Sequence, residues 1–287
     1  MLEIFTEIIE YIILGFVQGV TEVLPVSSSG HVTFVKEIFN TEIDNSVLFL
    51  LILNLGSIIA IIYYLRKDIC VYIRDLIRFI FKNNVDKDVI KSVNYVRNVF
   101  VGILPVVFIG FFVSLFIENI YEKNPLLFIG VGALLTATIL YAVRNFTVAY
   151  VNKEFSTGDS FFIGLMQVVS LFPGLSRLGV TAAAGVKRKL SFDSALKFSF
   201  MMLIPISFGS MFLSLASLKF DFSSLMSNFD ETNYLSYIYY FIGFFVSMIS
   251  TYYALKFVFI LFRRGNLSFF YIYNFIFGIV ALAIGLA

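Results

Sequence analysis

The chain has 287 residues, of which 59% are hydrophobic and only 14% charged, with a formal net charge of +2. Soluble domains carry about a quarter charged residues, so a mean hydropathy of +0.91 excludes an ordinary water-soluble enzyme, and the small net charge argues against a nucleic-acid partner. One cysteine, Cys70, excludes an intrachain disulfide or Cys cluster, and one histidine, His31, excludes a multi-His metal site.

In chain order, the first thirty-five residues hold no Lys or Arg but contain Glu3, Glu7 and Glu10. A secretory signal needs a positive n-region, so this start reads as part of the mature protein. The apolar region 8–38 is interrupted by Pro25-Val26-Ser27-Ser28-Ser29-Gly30. Spans of the length a bilayer requires, about 20 residues, follow at 46–65, 95–117 and 125–143. Between the first two, residues 69–82 alternate apolar positions with Arg74, Asp75, Arg78 and Lys82, as an interfacial helix would. A second interrupted region, 160–190, carries Pro173-Gly174-Leu175-Ser176-Arg177, and three more spans follow at 197–217, 236–261 and 268–286. Pro105 and Pro205 fall inside spans and read as kinks.

Backbone broken at membrane depth survives only when buried in protein or lining a wet cavity. The two interrupted regions therefore read as re-entrant helix pairs. A shift of 149 residues places Gly15 on Gly164, Gln18 on Gln167, Val20 on Val169, Ser27 on Ser176 and Gly30 on Gly179. Three spans separate the copies, and an odd number of crossings inverts the second. The expected fold is an all-α polytopic membrane protein: six transmembrane helices plus two re-entrant pairs in an inverted-topology repeat. The whole chain, 1–287, forms one integral membrane domain, with repeat 1 at about 1–143 and repeat 2 at about 160–287. With the 66–97 segment in the cytoplasm, 16 of the 21 Lys and Arg lie on that side. Lys36, Lys123 and Lys219 lie opposite, while Arg177 and Lys256 fall within the membrane. Both termini then lie outside, and Lys256 snorkels toward the inner interface.

Chemistry concentrates at the two breaks. Gln18 and Glu22 are four residues apart and share a helix face; so do Ser27 and His31 on the half-helix restarting after Pro25. Ionisable groups at membrane depth are costly and mark sites. The bland alternative is that the serines only cap a helix while Glu22 sits at the water interface. Arg177, flanked by Ser176 and Thr181, suits an anion: guanidinium grips phosphate bidentately, and a half-helix N-terminus adds N–H donors. Its bland reading is a structural ion pair with Glu22. Glu22 itself sits where the helix dipole disfavours negative charge and needs a cation nearby, either Arg177 or a divalent metal, Mg2+ or Ca2+. Asn54, mid-span, reaches the same cavity or makes an interhelical hydrogen bond. No Walker-type phosphate loop is present, so ATP hydrolysis has no support.

With these residues the chain resembles the undecaprenyl-diphosphate phosphatase family, the bacitracin-resistance proteins, over essentially its full length. The resemblance rests on Gln18-Gly-Val-Thr-Glu22-Val-Leu-Pro-Val-Ser27-Ser-Ser-Gly-His31 and on Pro173-Gly-Leu-Ser176-Arg177-Leu-Gly-Val-Thr181. The family has a Ser where this chain has Leu178, which removes one hydroxyl contact. The resemblance implies hydrolysis of undecaprenyl diphosphate to the monophosphate and inorganic phosphate, recycling the lipid carrier for peptidoglycan in the bacterial inner membrane. It places Glu22, Ser27, His31 and Arg177 in catalysis, with the nucleophile open between Ser27, His31 and water and a lean to Ser27 with His31 as base. Gln18, Ser28, Ser176, Thr181 and Asn54 would contact substrate, and Glu22 a divalent cation. The expected partners are the polyprenyl diphosphate substrate and membrane lipids, with a homodimer left open. The rival reading is a polyprenyl-phosphate flippase or secondary transporter, whose usual architecture is also an inverted repeat with broken midplane helices.

Overall fold

Apolar stretches in a bilayer become helices because each backbone N–H and C=O must find its partner within the segment. The computed structural model describes residues 2–39, 47–82, 85–121, 123–146, 155–217 and 234–286. Among them are ten helices and no strand: α1 Leu2–Val23, α2 Ser28–Phe39, α3 Val47–Lys82, α4 Lys87–Tyr121, α5 Pro125–Val143, α6 Thr157–Val169, α7 Arg177–Lys187, α8 Phe192–Ser217, α9 Tyr234–Arg263 and α10 Ser268–Leu286. Six of these, α3, α4, α5, α8, α9 and α10, are long and apolar enough to cross a membrane. Their outer faces expose large apolar side chains such as Phe100, Phe108, Phe212, Phe241 and Ile276, the reverse of a water-facing surface. The chain is an integral membrane protein. Lys153 and Lys219, counted above in the charge asymmetry, lie outside the described residues.

The expected interfacial helix at 69–82 is not a separate element. It continues α3, whose 36 residues extend about 54 Å at 1.5 Å per residue, well beyond a hydrocarbon core of about 30 Å. The 35-residue α4 runs beside it. The reason lies between the two helices. The buried Asp75 carboxylate accepts from Ser92 Oγ at 2.7 Å and Arg74 Nε at 3.3 Å, and Tyr72 stacks on Tyr95 with ring centroids 4.7 Å apart. Pro105 and Pro205 both sit inside continuing helices, α4 and α8.

Lipid supplies no hydrophobic drive between helices, so association relies on close backbone approach and interhelical hydrogen bonds. At Gly130 a Cβ would stand 2.9 Å from Gly278 O, and one at Gly278 would stand 2.9 Å from Gly130 O, which brings α5 and α10 together. Between α1, α3 and α9, Thr251 Oγ1 donates to Gly19 O at 2.9 Å and Ser247 Oγ to Leu53 O at 2.8 Å, with Ser57 Oγ 2.9 Å from Ser247 Oγ. The two interrupted regions are each a pair of helices joined by a break, residues 24–27 between α1 and α2 and residues 170–176 between α6 and α7. α7 lies at the centre, with every residue from Leu178 to Val186 buried, packed against α5, α6 and α8.

Candidate active site

The two breaks open onto one cavity of about 80 Å³. The first break and its flanks contribute Thr21, Glu22, Leu24 and Ser27–Ser29; the second contributes Ser170, Leu175–Leu178 and Thr181; Gln167 of α6 and Ser199 and Leu203 of α8 complete the wall. The lining therefore holds one carboxylate, one guanidinium, one amide and eight hydroxyl side chains. Both α2 and α7 begin at this cavity, so two helix N-termini face it, a favourable arrangement for an anion.

The first break is short because Pro25 has no N–H to continue α1. Val26 N donates to Leu24 O at 2.8 Å, a tight three-residue turn. Ser27 then takes a left-handed backbone, φ 70°, a conformation that costs a residue with a Cβ about 1–3 kcal/mol and recurs at functional sites. Glu22, half-buried, accepts from Gln18 Nε2 at 3.0 Å and from Ser28 Oγ at 2.6 Å, both on Oε2. Its Oε1 makes no hydrogen bond among the described residues.

The second break turns through Gly174 at φ 78°. Any Cβ there would collide with the Ile129 carbonyl of α5, and one at Gly132 would collide with the Pro173 carbonyl. Ser176 caps α7: its Oγ accepts from Gly179 N at 3.0 Å, and its N–H donates to Thr136 Oγ1 at 2.9 Å. Arg177 occupies the first helical position and makes no ion pair among the described residues. The structural pair with Glu22 does not form, and the guanidinium is left for a ligand in the cavity that both residues line.

The cavity hydroxyls differ in whether their protons are already committed. The protons of Thr21, Ser170, Thr181 and Ser199 go to backbone carbonyls (Val17, Gln167, Arg177 and Ala195), and that of Ser28 goes to Glu22. Ser27, Ser29 and Ser176 keep theirs uncommitted among the described residues, so these three can donate to an anion without losing a bond. Leu178, where a serine hydroxyl was missing, is buried against the cavity.

Of the nine residues expected from sequence, Glu22, Ser27, Ser28, Ser176, Arg177 and Thr181 line the cavity; Gln18, His31 and Asn54 do not. Gln18 is buried behind Glu22 and orients it. Asn54 has a buried Oδ1 without a partner among the described residues, away from the lining. His31 is committed elsewhere. Its Nδ1 lies 2.8 Å from Ser27 O, a carbonyl that can only accept, so Nδ1 carries hydrogen. In the neutral ring Nε2 then accepts from Tyr273 OH at 2.8 Å, and the ring stacks on Phe277 at 3.9 Å. Neither nitrogen is free to take a proton from Ser27 Oγ. Lys256 Nζ lies over the Tyr252 and Tyr253 rings, 4.4 and 5.4 Å from their centroids.

Sequence reasoning passed over Gln167. It is 2% exposed, its Oε1 is buried with no partner among the described residues, and it lines the cavity. The 149-residue shift that sets it on Gln18 is the signal that marks it. Its counterpart for Glu22 is the apolar Leu171, which leaves the amide without the partner Gln18 enjoys. Among the described residues no group of three or more His, Cys, Asp or Glu is placed to hold a metal. A divalent ion here would have one carboxylate, Glu22, plus oxygens of its ligand, a pattern suited to Mg2+ on a phosphate.

Comparison with known proteins adds a family. Residues 11–280 match the model of the bacitracin resistance protein BacA. An undecaprenyl-diphosphatase of Oceanobacillus iheyensis is 32% identical over 280 residues, covering 98% of both chains. Undecaprenyl-diphosphatase 1 of Bacillus licheniformis is 32% identical over 281 residues, 97% of this chain and 98% of that one. The undecaprenyl-diphosphatase of Acholeplasma laidlawii is 35% identical over 210 residues, 70% of this chain and 73% of that one.

Proposed function

The chain belongs to the bacitracin resistance protein BacA family, and from that premise we propose that the cavity between the two breaks is where it dephosphorylates undecaprenyl diphosphate. The reaction releases inorganic phosphate and returns undecaprenyl phosphate, the lipid carrier of cell-wall synthesis; resistance to bacitracin goes with it.

The observation that carries the site is the 2.6 Å bond from Ser28 Oγ to Glu22 Oε2 in the cavity that also holds Arg177. A hydroxyl donating to a carboxylate is a nucleophile beside its base. Glu22 takes the Ser28 proton as Oγ attacks the terminal phosphorus, and the bond to the bridging oxygen breaks, leaving undecaprenyl phosphate. Water then cleaves the phosphoserine, and phosphate departs. Arg177 and the α2 and α7 N-termini neutralise the transferring group, the main contribution a protein makes to such a step. Ser27, Ser29 and Ser176 donate to its oxygens. This replaces the expected Ser27–His31 pair, because both imidazole nitrogens are engaged. Glu22 would hold a divalent cation, Mg2+ or Ca2+, which would supply further charge neutralisation.

The two interrupted units read as re-entrant pairs of an inverted repeat. In support, α1 packs on α9, α6 on α4 and α5 on α10, so each half supplies the neighbour of the other's counterpart. The membrane is the bacterial inner membrane, where the lipid carrier resides, and the exposed apolar belt meets lipid or, in a homodimer, a second copy.

The test is phosphate release from C55 diphosphate by protein purified in detergent, with and without Mg2+ or Ca2+. Ser28→Ala is expected to lower kcat by about 10³-fold or more, a nucleophile's loss, and Ser27→Ala far less. Wild-type rates in Ser28→Ala would remove Ser28 as nucleophile and return the first step to water. Lipid movement across vesicles without phosphate release would favour the flippase.

A further inference from the structure

The first break has few backbone bonds of its own: Val26 N donates to Leu24 O at 2.8 Å and His31 N to Ser27 O at 3.2 Å. α1 ends at Val23, Pro25 offers no N–H, and Ser27 is held at φ 70°, where a residue with a Cβ does not rest unaided. Yet Ser27 and Ser28 must be presented to Glu22 and to the phosphate. What holds them is α10, some 245 residues downstream by sequence number.

Asn274 of α10 is fully buried, and both of its Nδ2 hydrogens are used: one goes to Phe270 O of its own helix at 2.8 Å, the other crosses to Pro25 O at 2.9 Å. One residue earlier, Tyr273 OH lies 2.8 Å from His31 Nε2, and on the next turn Phe277 stacks on the same imidazole at 3.9 Å. His31 passes the constraint on, because its Nδ1–H and its backbone N–H both donate to Ser27 O, at 2.8 and 3.2 Å. The carbonyls on either side of Val26 are thus tied to α10, one directly and one through the imidazole. α10 is itself fixed by the Gly130–Gly278 approach to α5, the helix that underlies the second break.

Asn274 Oδ1 sharpens the point. It is buried with no partner among the described residues, and an unpaired buried carbonyl is a penalty that an apolar side chain would avoid. A side chain kept at such a position for packing alone would be apolar.

We infer that Asn274 and Tyr273 are positioning residues for the phosphate-transfer turn, locking the 24–27 break so that Ser28 Oγ stays in reach of Glu22. His31 is the link between Tyr273 and that turn. The inference rests on the proposed dephosphorylation at this cavity.

The experiment measures kcat and KM for phosphate release from C55 diphosphate by wild type, Asn274→Leu, Tyr273→Phe and the double variant, each normalised to monodisperse protein. Hydrogen exchange of the 24–31 segment is followed in the same samples. A misplaced catalytic group costs about 100-fold, so Asn274→Leu is expected to lose about that in kcat with KM near wild type, the mark of an effect on the reacting geometry. Tyr273→Phe removes one neutral hydrogen bond and is expected to lose about tenfold. The double variant is expected to fall short of the product of the two losses, because both residues hold one turn. Exchange in 24–31 is expected to quicken in each.

Unchanged exchange in 24–31 overturns the inference, as do multiplying losses or a loss that appears in KM alone. Should Asn274→Leu fail to fold, Tyr273→Phe decides by itself, since it deletes a single hydroxyl; a wild-type kcat there also overturns the inference. A wild type that releases no phosphate, with exchange still quickening in the variants, would sink the phosphatase reading of the cavity and leave the clamp standing.

Discussion

The two breaks meet at one cavity but are held in opposite ways. The first, four residues between α1 and α2, is fixed by side chains: Asn274 on Pro25 O, and Tyr273 through His31 on Ser27 O. The second, seven residues between α6 and α7, is fixed by backbone proximity: Gly132 beneath Pro173, Gly174 at φ 78° against Ile129, and the Ser176 N–H on Thr136. Its outer ends are tied as well. Asp159, 0% exposed, closes a capping box with Ser156 at the start of α6 and pairs with Arg188 Nε at 2.7 Å just past the end of α7. The first break carries the groups proposed to react, Glu22 and Ser28; the second carries the cation. A reacting group is tuned through adjustable hydrogen bonds, whereas a guanidinium that needs only to be aimed can ride on a rigid, glycine-built turn.

The largest expected effect tests that division directly. Arg177→Ala should lower phosphate release by about 10³-fold or more, the order of an arginine that neutralises a transferring phosphoryl group. Arg177→Lys should recover only part of it, since ammonium lacks the planar fork. Steady-state kinetics on folded protein checks both, and full activity in Arg177→Lys would mean that charge alone matters at the second break.

Next come the glycines. Gly174→Ala meets both a left-handed backbone and the Ile129 carbonyl, and it should cost about 4 kcal/mol. Gly30→Ala at the first break meets nothing nearer than Ser27 Oγ at 3.2 Å and should cost about 1 kcal/mol. Thermal unfolding in detergent ranks them; equal losses would erase the contrast between backbone-held and side-chain-held turns.

The smallest effect on turnover concerns the outer tie. Asp159→Asn keeps the shape but weakens the pair with Arg188, whose side chain is 43% exposed. It should cost about 2 kcal/mol while leaving kcat per folded molecule near wild type. A fall in kcat matching that of Arg177→Ala would show that the tie steers the guanidinium rather than merely holding the helices.

Some of this was legible in the chain alone. Hydropathy placed six spanning helices, and the Pro-Gly-Ser runs placed the two breaks, because spanning length and helix-breaking are local properties read within about twenty residues. The same runs marked Glu22, Ser27, Ser28, Ser176, Arg177 and Thr181, all of which line the cavity. The reach of α3 to Lys82 was not legible, since the buried Asp75–Ser92 bond that sustains it joins two helices. Nor was the commitment of His31, whose partner Tyr273 is 242 residues away, or the solitary amide of Gln167.

Sequence by itself determined which residue types stand at the breaks and how many helices surround them. Only the tertiary structure decided which hydroxyl faces the carboxylate, which protons are already spent on carbonyls, and that the histidine braces the turn. The physical reason is that a polar side chain's role depends on which donors and acceptors remain unpaired after folding, and those pairings are made across helices far apart in the chain.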